Sequence, residues 1–450
     1  MSEDIRIKKG LSIKLKGKAE EVISAAPRSR IFAIQPKDFH GITPKLTVKV
    51  GAEVSVGTVL FYSKSNEQIK FTSPVSGTVS EIKRGAKRRI LKVVIEAKAE
   101  DDFVDFGKED PKGLSKEQVL TKILDSGCWP FVNQRPYDVI ANPADEPKAI
   151  FISSFDTAPL ASSYAFSIKE QEAAFQAGVN ALSKLTQGNV HLSVNNTPTF
   201  FDKTENAVLQ NVTGKHPAGN VGVQISKIAP INQGEKVWTV NPQDVVIIGN
   251  LFLTGQFRPY RTIALAGSEV TAPQYYQVTL GQEVASLLEG KINEDNTRII
   301  SGNVLTGATI ASKEEFLGFY SNEISVIPEG NVYRMFGWIP FVGSGKIHSA
   351  SRTSFSWLSS NKEYTLNTNM NGEERAMVVT GEMEKVFPMD IFPMQLLKAV
   401  MANDIEKMEN LGIYEVAPED FALIDYASSS KVEAQKIIRE GLDLMINEVG

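Results

Sequence analysis

The chain has 450 residues and a formal net charge of −5, with 42% hydrophobic and 22% charged residues. This composition is typical of a soluble globular protein of about three domains, and it excludes collagen-like, coiled-coil and wholly disordered chains. The longest apolar stretches fall far short of the ~20 residues that span a bilayer, so any membrane association is expected to be peripheral.

Residues 1–103 are predicted to be β-rich. Residues 42–50 alternate apolar and polar side chains, which is the period of a strand. Glycines punctuate further short strands between 51 and 79, and the region closes on an apolar strand over 90–96. The acidic residues 100–102 then begin a linker.

The period changes after the linker, and residues 104–257 are predicted to form an α/β domain with a largely parallel sheet. Its first helix is expected to begin at an N-cap, Ser115. The predicted elements are a helix over 115–124, strands over 149–152 and 189–194 on either side of an amphipathic helix over 168–185, and a continuation to the apolar run 244–249.

Residues 258–335 return to short strands and turns, with one short helix over 282–290. The last region, 336–450, is predicted to start with β-hairpins or a loop excursion, around Gly343-Ser344-Gly345 and residues 361–374. Helices are then expected over 393–401, 404–411 and 432–448.

Several kinds of site are excluded or disfavoured by the residues themselves. Cys128 is the only cysteine, and one thiolate cannot hold an iron–sulfur cluster or a Cys-rich zinc ion. The four histidines are scattered, and neither H-E-x-x-H spacing nor a Ser nucleophile elbow occurs. We therefore expect no catalytic residue set and no metal site.

Two basic clusters, Lys83-Arg84 and Lys87-Arg88-Arg89, stand out from the otherwise dispersed lysines and arginines. Neither is interleaved with the aromatics of a nucleic-acid surface, so nucleic acid is not an expected partner. We interpret them as a solvated hairpin, while contact with a partner or an anionic lipid surface stays open.

Two glycine-containing patterns resemble those of lysine-modified carrier domains and of nucleotide-binding loops. The pattern from Gly51 to Val79 resembles a biotinyl/lipoyl barrel-sandwich fold, but Lys64 and Lys70 lack the sequence context of a modified lysine. The spacing from Gly214 to Gly219 imitates a phosphate loop, but Asn220 follows where such a loop needs lysine. We interpret the first as structural use of the fold and the second as a tight turn.

Residues 127–138 concentrate three aromatics, two prolines and an arginine in one loop after the first helix. Aromatic planes and a guanidinium can hold a flat, partly polar ring such as a quinone or flavin. The alternative is a proline-rich loop whose aromatics cap the sheet.

The motifs of this chain together resemble the A subunit of the Na⁺-translocating NADH:quinone oxidoreductase. The resemblance runs in order along the chain. It rests on Arg135-Pro136-Tyr137, Asp156 to Leu160, His216 to Gly219, Gln243-Asp244-Val245, Leu251 to Gly255, Ile299 to Gly307, Phe336-Gly337-Trp338 and Pro388 to Ile391.

The resemblance implies an α+β multidomain fold: a barrel-sandwich hybrid, an α/β domain, a β-grasp soluble-ligand-binding domain over 258–335, and a C-terminal helical region. It implies docking on the cytoplasmic face of the bacterial inner membrane. The complex has six subunits, oxidises NADH, reduces ubiquinone or menaquinone and exports Na⁺. Subunits B to F are the implied partners, especially the integral-membrane ones.

The chain departs from the redox-active relatives of this family. Around Gly127 the glycine-rich flavin loop is missing, and Ser428-Ser429-Ser430-Lys431 stands where a Cys-Pro-Gly-Lys-like segment is expected. We therefore expect no redox centre and no covalently bound cofactor on this chain. NADH, flavins and iron–sulfur groups are expected on other subunits.

A quinone contact is expected in the loop around Trp129, Phe131, Arg135 and Tyr137, with Arg135 donating a hydrogen bond to a quinone carbonyl. Phe39 and His40 lie in a turn of the first domain that is expected to face the same interdomain cleft, and His40 could supply a proton. Alternatively, Arg135 pairs with Asp138 or with a partner protein of the complex.

Two other functions remain open at this point. One is a free-standing flavin-dependent NADH dehydrogenase, which a flavin absorption band of the purified protein would indicate. The other is a carrier modified on Lys64 or Lys70, which an intact mass equal to that of the unmodified chain would exclude.

Overall fold

The structure is a computed structural model that describes residues 4–293, 295–312, 315–331, 347–348, 358 and 361–449. Two segments named from the sequence, Phe336-Gly337-Trp338 and Gly343-Ser344-Gly345, lie outside the described residues. The described part is an α+β multidomain structure of four sheets followed by a helical region, as predicted.

The barrel-sandwich domain consists of two small antiparallel sheets. The first has the order β3 (Ile31–Ile34), β9 (Ile90–Ala97), β8 (Gly77–Arg84) and β5 (Glu53–Val54), and the second β4 (Pro44–Leu46), β6 (Val59–Ser63) and β7 (Lys70–Thr72). Strand β4 is the only part of the predicted strand 42–50 that pairs. Phe61 and Phe71 stack in the core with ring centroids 4.7 Å apart.

A seven-stranded sheet forms the centre of the α/β domain, and five of its strands are parallel. Its order is β1 (Ile5–Ile7), β14 (Val208–Gly214), β13 (Val190–Val194), β12 (Ile150–Ser153), β15 (Val237–Thr239), and then the antiparallel pair β10 (Asn133–Arg135) and β11 (Val139–Ile140). The largely parallel sheet is therefore confirmed. Its edge strand β1 comes from the N-terminal segment, which precedes the barrel-sandwich domain in the chain and pairs with β14.

The helices of this domain are α1 (Lys116–Asp125), α2 (Tyr164–Ser167), α3 (Glu172–Ser183), α4 (Val221–Ile228) and α5 (Pro242–Thr254). Ser115 accepts a hydrogen bond from the backbone N–H of Gln118, so the predicted N-cap is confirmed. The helix predicted over 168–185 is shorter at both ends: residues 168–170 form a turn before α3, and α3 ends at Ser183.

The apolar run 244–249, to which the predicted alternation of strands and helices extended without an assignment of its own, is part of helix α5. A short apolar run buried on every side has the same pattern in a strand and in a core helix. Helix α5 is buried along most of its length and packs closely on α3. The close approach requires glycine: a Cβ atom at Gly178 would overlap the carbonyl oxygen of Val245, and one at Gly249 that of Ala174.

The third domain is a mixed six-stranded sheet with helix α6 (Ala285–Leu288) in its core. The sheet order is β19 (Ala308–Ile310), β18 (Thr297–Ser301), β20 (Glu323–Pro328), β16 (Tyr260–Ala266), β17 (Gln274–Thr279) and β2 (Glu20–Ala25). Strand β2 also comes from the N-terminal segment, so residues 5–25 join the second and third domains before the barrel-sandwich domain begins.

The C-terminal region is helical, as predicted. It contains α7 (Glu382–Val386), α8 (Pro393–Met401), α9 (Ile405–Asn410), α10 (Ala422–Ala427) and α11 (Ala434–Glu448). Residues 361–380 before α7 form no strand of a sheet, although Tyr364 pairs with Leu15 in an isolated bridge. The described part of that segment is therefore a loop excursion.

The crossing of α3 and α5 gives a first test. Gly249→Val should lower the free energy of unfolding by about 1–3 kcal/mol, because the added methyl groups force two closely packed helices apart. Gly113→Val is the matched control, because a Cβ atom at Gly113 would have no neighbouring atom within 4 Å. Urea unfolding of the two full-length variants measures the effect, and equal unfolding midpoints would contradict the close approach.

Candidate functional site

A crevice opens where the parallel sheet changes direction. The chain passes from β12 to β13 on one side and later returns to β15 on the other side of β12. In open α/β sheets, ligands bind outside the carboxyl ends of the strands at such a switch point. Residues that follow β12 and β15, Asp156 and Asn241, lie on the wall of a pocket at this position.

The pocket has a volume of about 260 Å³, enough for one small ring system, and all domains except the barrel-sandwich contribute to its walls. The α/β domain supplies most of the lining, the third domain supplies Asn303, Thr306 and Tyr320, and the C-terminal region supplies Glu419. An interdomain crevice with convergent polar groups is a common form of ligand site.

Arg135 is the one expected quinone residue that lines this pocket. Its side chain is 2% exposed and forms two ion pairs, with Asp420 at 2.5 Å and with Glu419 at 2.6 Å. The alternative named from the sequence was a pair with Asp138 or with a partner protein; within this chain the ion-pair partners of Arg135 are Asp420 and Glu419 instead of Asp138. Gly222 in the first turn of α4 makes room for the pair, since a Cβ there would overlap both side chains.

The aromatic residues of the loop are placed in the core. Trp129 is fully buried and donates its indole N–H to the carbonyl oxygen of Ala141 at 2.7 Å. Phe131 is fully buried and stacks on Phe319 at 4.9 Å, and Phe39 packs edge-on against Phe319 at 4.8 Å. The turn of the first domain and the loop therefore do meet, on a residue of the third domain.

Tyr320 connects this aromatic cluster to the pocket. Its hydroxyl donates to the carbonyl oxygen of Pro130 at 2.6 Å, while its ring lies 5.1 Å from that of Phe319 and on the pocket wall. Phe39, Trp129 and Phe131 accordingly stand behind the wall rather than on it.

His40 and Tyr137 lie at a second interdomain contact, outside the pocket. His40 is largely exposed and its Nε2 lies 2.6 Å from a carboxylate oxygen of Asp443 in α11. Tyr137 packs edge-on against Tyr414 at 6.2 Å, and its carbonyl oxygen accepts a hydrogen bond from Arg439. Both residues therefore bind the C-terminal helices to the rest of the chain.

The pocket is rich in carboxyl groups. Asp138, Asp156, Asp244 and Glu419 line it together with one cation, Arg135. Burial raises the pKa of Asp244 to about 6, although its buried partner Arg261 acts in the opposite direction.

A further carboxyl group, that of Glu323, lies behind the wall. Burial and the nearby Asp156 raise the pKa of Glu323 to about 8; its carboxylate accepts a hydrogen bond from the backbone N–H of Ser162 at 2.6 Å.

His216 is a pocket residue that the sequence reasoning did not select. It sits in the turn between β14 and α4, where the predicted tight turn is confirmed. Its Nδ1 lies 3.2 Å from the hydroxyl of Thr157, and its Nε2 has no hydrogen-bond partner in the part of the chain that the structure describes. Burial lowers its pKa, although Asp156 acts the other way. Asp156 and Asn241 were missed as well, although polar residues directly after a strand are the signal for such a site.

The lysines and the cysteine considered from the sequence do not line the pocket. Lys70 pairs with Asp125 at 2.6 Å, and Lys64 lies exposed in the hairpin between β6 and β7. Cys128 is buried, and burial raises the pKa of its thiol to about 12. Among the described residues, no cluster of histidine, cysteine or acidic side chains could hold a metal ion, and no helix has the length and apolar character to cross a membrane.

The buried ion pair gives a second test. Arg135→Ala should lower the free energy of unfolding by about 3–5 kcal/mol, because it leaves Asp420 buried without its charge partner. Arg30→Ala is the matched control: Arg30 pairs with Glu96 at the surface, where such pairs contribute about 0–1 kcal/mol. Thermal and urea unfolding compare the two variants, and similar losses would mean that the Arg135 pair is not a stabilising contact.

Three family descriptions match the chain in order. They are "NqrA N-terminal barrel-sandwich hybrid domain" over residues 5–98, "NqrA second alpha/beta domain" over 114–257 and "NQRA C-terminal domain" over 262–312. Among solved structures, an NAD⁺-reducing [NiFe]-hydrogenase in the H₂-reduced state is similar over 75% of this chain and 62% of its own, with a TM-score of 0.41 and 11% identity. That likeness is too distant to indicate a function.

Curated relatives match almost the whole chain. The A subunit of the Na⁺-translocating NADH-quinone reductase of Marinomonas sp. is 36% identical over 448 residues, covering 98% of this chain and 99% of the relative. The protein of the same name from Photorhabdus laumondii is 38% identical, covering 97% and 98%. Because this identity extends from the first domain through the C-terminal helices, the chain belongs to the NqrA family, the A subunits of Na⁺-translocating NADH-quinone reductases.

Proposed function

We propose that the chain is the peripheral A subunit of a six-subunit membrane complex that oxidises NADH, reduces quinone and exports Na⁺. The observation that carries this proposal is the identity of 35–38% to proteins named as A subunits of this reductase, over 97–99% of this chain. Subunits B to F are the proposed partners, and the cytoplasmic face of the bacterial inner membrane is the proposed location.

The role of the chain within the complex is docking and structure, without a redox centre of its own. The support for this role is chemical: the single thiol is buried, and its raised pKa disfavours the thiolate that iron would need. The loop at Gly127 also lacks the glycines that a flavin loop uses, with Cys128 and Trp129 in their place.

The pocket at the switch point is the proposed quinone contact. A quinone head group is a neutral ring whose carbonyl oxygens accept hydrogen bonds, and Arg135 and Asn133 present donors on the wall. Two of the four lining carboxyl groups, Asp244 and Glu419, are compensated by Arg261 and Arg135. The other two, Asp138 and Asp156, form no ion pair among the described residues, and they disfavour anionic ligands such as a dinucleotide or a flavin phosphate. This charge pattern favours a neutral quinone over the flavin-dependent dehydrogenase that the sequence left open.

Assembly can be tested by affinity purification of the full-length chain from its native membrane. Recovery of integral-membrane subunits with NADH:quinone reductase activity is the expected result. Recovery of the chain alone, under detergent conditions that preserve the activity of the membrane extract, would overturn the assembly proposal. A flavin absorption band in the isolated chain would instead favour the free-standing dehydrogenase.

The quinone contact can be tested by filling the pocket. Thr306→Trp should raise the KM for quinone in the assembled complex at least about tenfold, because the indole occupies the volume at the wall. NADH oxidation with a soluble electron acceptor should continue unchanged. Thr309→Trp is the matched control: Thr309 is also exposed, lies three residues further on in β19, and is not on the pocket wall.

Thr306 is a cleaner probe of this contact than Arg135, because loss of Arg135 also removes a buried ion pair. An unchanged KM for quinone in the Thr306→Trp complex would mean that quinone binds elsewhere. Equal losses of both activities, with the subunits no longer recovered together, would make the residue a contributor to assembly and overturn the contact.

A further inference from the structure

The hairpin formed by β8 and β9 concentrates positive charge on a chain whose net charge is −5. Between positions 83 and 92, which we call the basic hairpin, there are six cationic residues and no acidic one. Five of them are exposed: Lys83, Arg84, Lys87, Arg88 and Arg89. The sixth, Lys92, is half-buried with its ammonium 4.6 Å from the ring centroid of Phe316.

This charge is not neutralised within the described part of the chain. None of the six cations forms an ion pair there, and the strand register sets Lys83 directly opposite Lys92. Like charges in such a cross-strand pair destabilise a hairpin. Of the flanking acids, Glu96 pairs with Arg30 and Glu81 makes no ion pair among the described residues. An external anion would therefore relieve a repulsion that the fold leaves in place.

The tip of the hairpin is held in a defined shape. The backbone N–H of Gly85 donates to the carbonyl oxygen of Arg89 at 2.8 Å, and the guanidinium of Arg84 donates to that of Arg88 at 3.2 Å. Lys87 and Arg88 have φ of 53° and 60°, a left-handed conformation that non-glycine residues rarely adopt. The tip therefore presents its three consecutive cations from a structured turn.

We propose that the basic hairpin contacts the anionic lipid headgroups of the membrane on which the complex sits. Clusters of four to eight lysines and arginines next to a membrane are attracted to anionic headgroups, and guanidinium groups bind phosphate with paired hydrogen bonds. Leu91, 38% exposed beside these cations, offers an apolar side chain to the interface. The net negative charge of the chain and the absence of aromatics in the hairpin disfavour nucleic acid as the partner.

The inference rests on the proposed function only for the presence of a membrane nearby, and it can be tested separately. The probe is cosedimentation of the full-length chain with phosphatidylglycerol-containing vesicles and with pure phosphatidylcholine vesicles. The test variant is Lys87→Glu/Arg88→Glu/Arg89→Glu. The matched control is Lys8→Glu/Lys9→Glu/Lys16→Glu, at exposed positions outside the hairpin. Each triple variant has the same net charge, because three cations become three anions: −5 − 6 = −11.

The wild-type chain and the control variant should bind the anionic vesicles, and the hairpin variant should bind them at least about a hundredfold more weakly. Thermal unfolding of the three proteins verifies that the hairpin variant is folded. Binding that is equal for both vesicle types, or lost equally in both variants, would overturn the proposal.

A third result would assign the hairpin to a different partner. If the hairpin variant binds vesicles normally but no longer copurifies with the other subunits, the hairpin docks on an acidic protein surface and the lipid proposal is wrong. The two proposals can also fail separately. If affinity purification recovers the chain without other subunits, the assembly proposal fails, but hairpin-dependent binding of the chain to anionic vesicles would still support this inference.

Discussion

The buried contact of Arg135 with Asp420 and Glu419 is the interaction on which the arrangement of this molecule depends. Arg135 ends a strand of the α/β sheet, and its partners precede helix α10 of the C-terminal region, nearly three hundred residues later. Burying the guanidinium without these carboxylates would lower the stability of the fold, because its charge would be uncompensated. The ion pairs therefore hold the α/β domain and the C-terminal region in a fixed relative position. Arg135 and Glu419 also line the pocket, so the C-terminal region contributes to its wall through the same contact.

Aromatic packing fixes the remaining domains around the same point. Phe319 contacts both Phe39 of the first domain and Phe131 of the second, and the neighbouring Tyr320 lines the pocket. The N-terminal segment adds two further links, because it supplies an edge strand to the second sheet and another to the third. Few of the interdomain contacts are thus local in sequence, and the pocket is a product of the whole chain.

The charges of the molecule are separated in a way that bears on both proposals. Carboxyl groups gather in the pocket, for which a neutral ligand is proposed, while cations gather at the tip of the basic hairpin. A net charge of −5 conceals this separation, because it sums surfaces that face different partners. The proposed roles assign a neutral ring to the acidic pocket and anionic headgroups to the basic hairpin.

Much of the fold follows from local sequence pattern. The N-cap at Ser115, the buried strands β12 and β13, and the amphipathic C-terminal helices were all predictable, because periodicity and capping act within a few residues. The family could also be identified from ordered motifs. The helix α5 could not be distinguished from a strand, since an apolar run that is buried on every side carries no period.

The candidate site, too, was only partly predictable from the sequence. Sequence alone directed attention to Arg135, because a guanidinium among aromatics and prolines is chemically distinctive, but it could not say that Trp129 and Phe131 point into the core. Nor could it bring Asp156, His216, Tyr320 and Glu419 to the same pocket as Arg135. Local pattern determines which segments become strands and helices. Which distant side chains share a site is decided by tertiary packing, because only the burial of the sheets and the pairing of Arg135 with Asp420 bring those segments together.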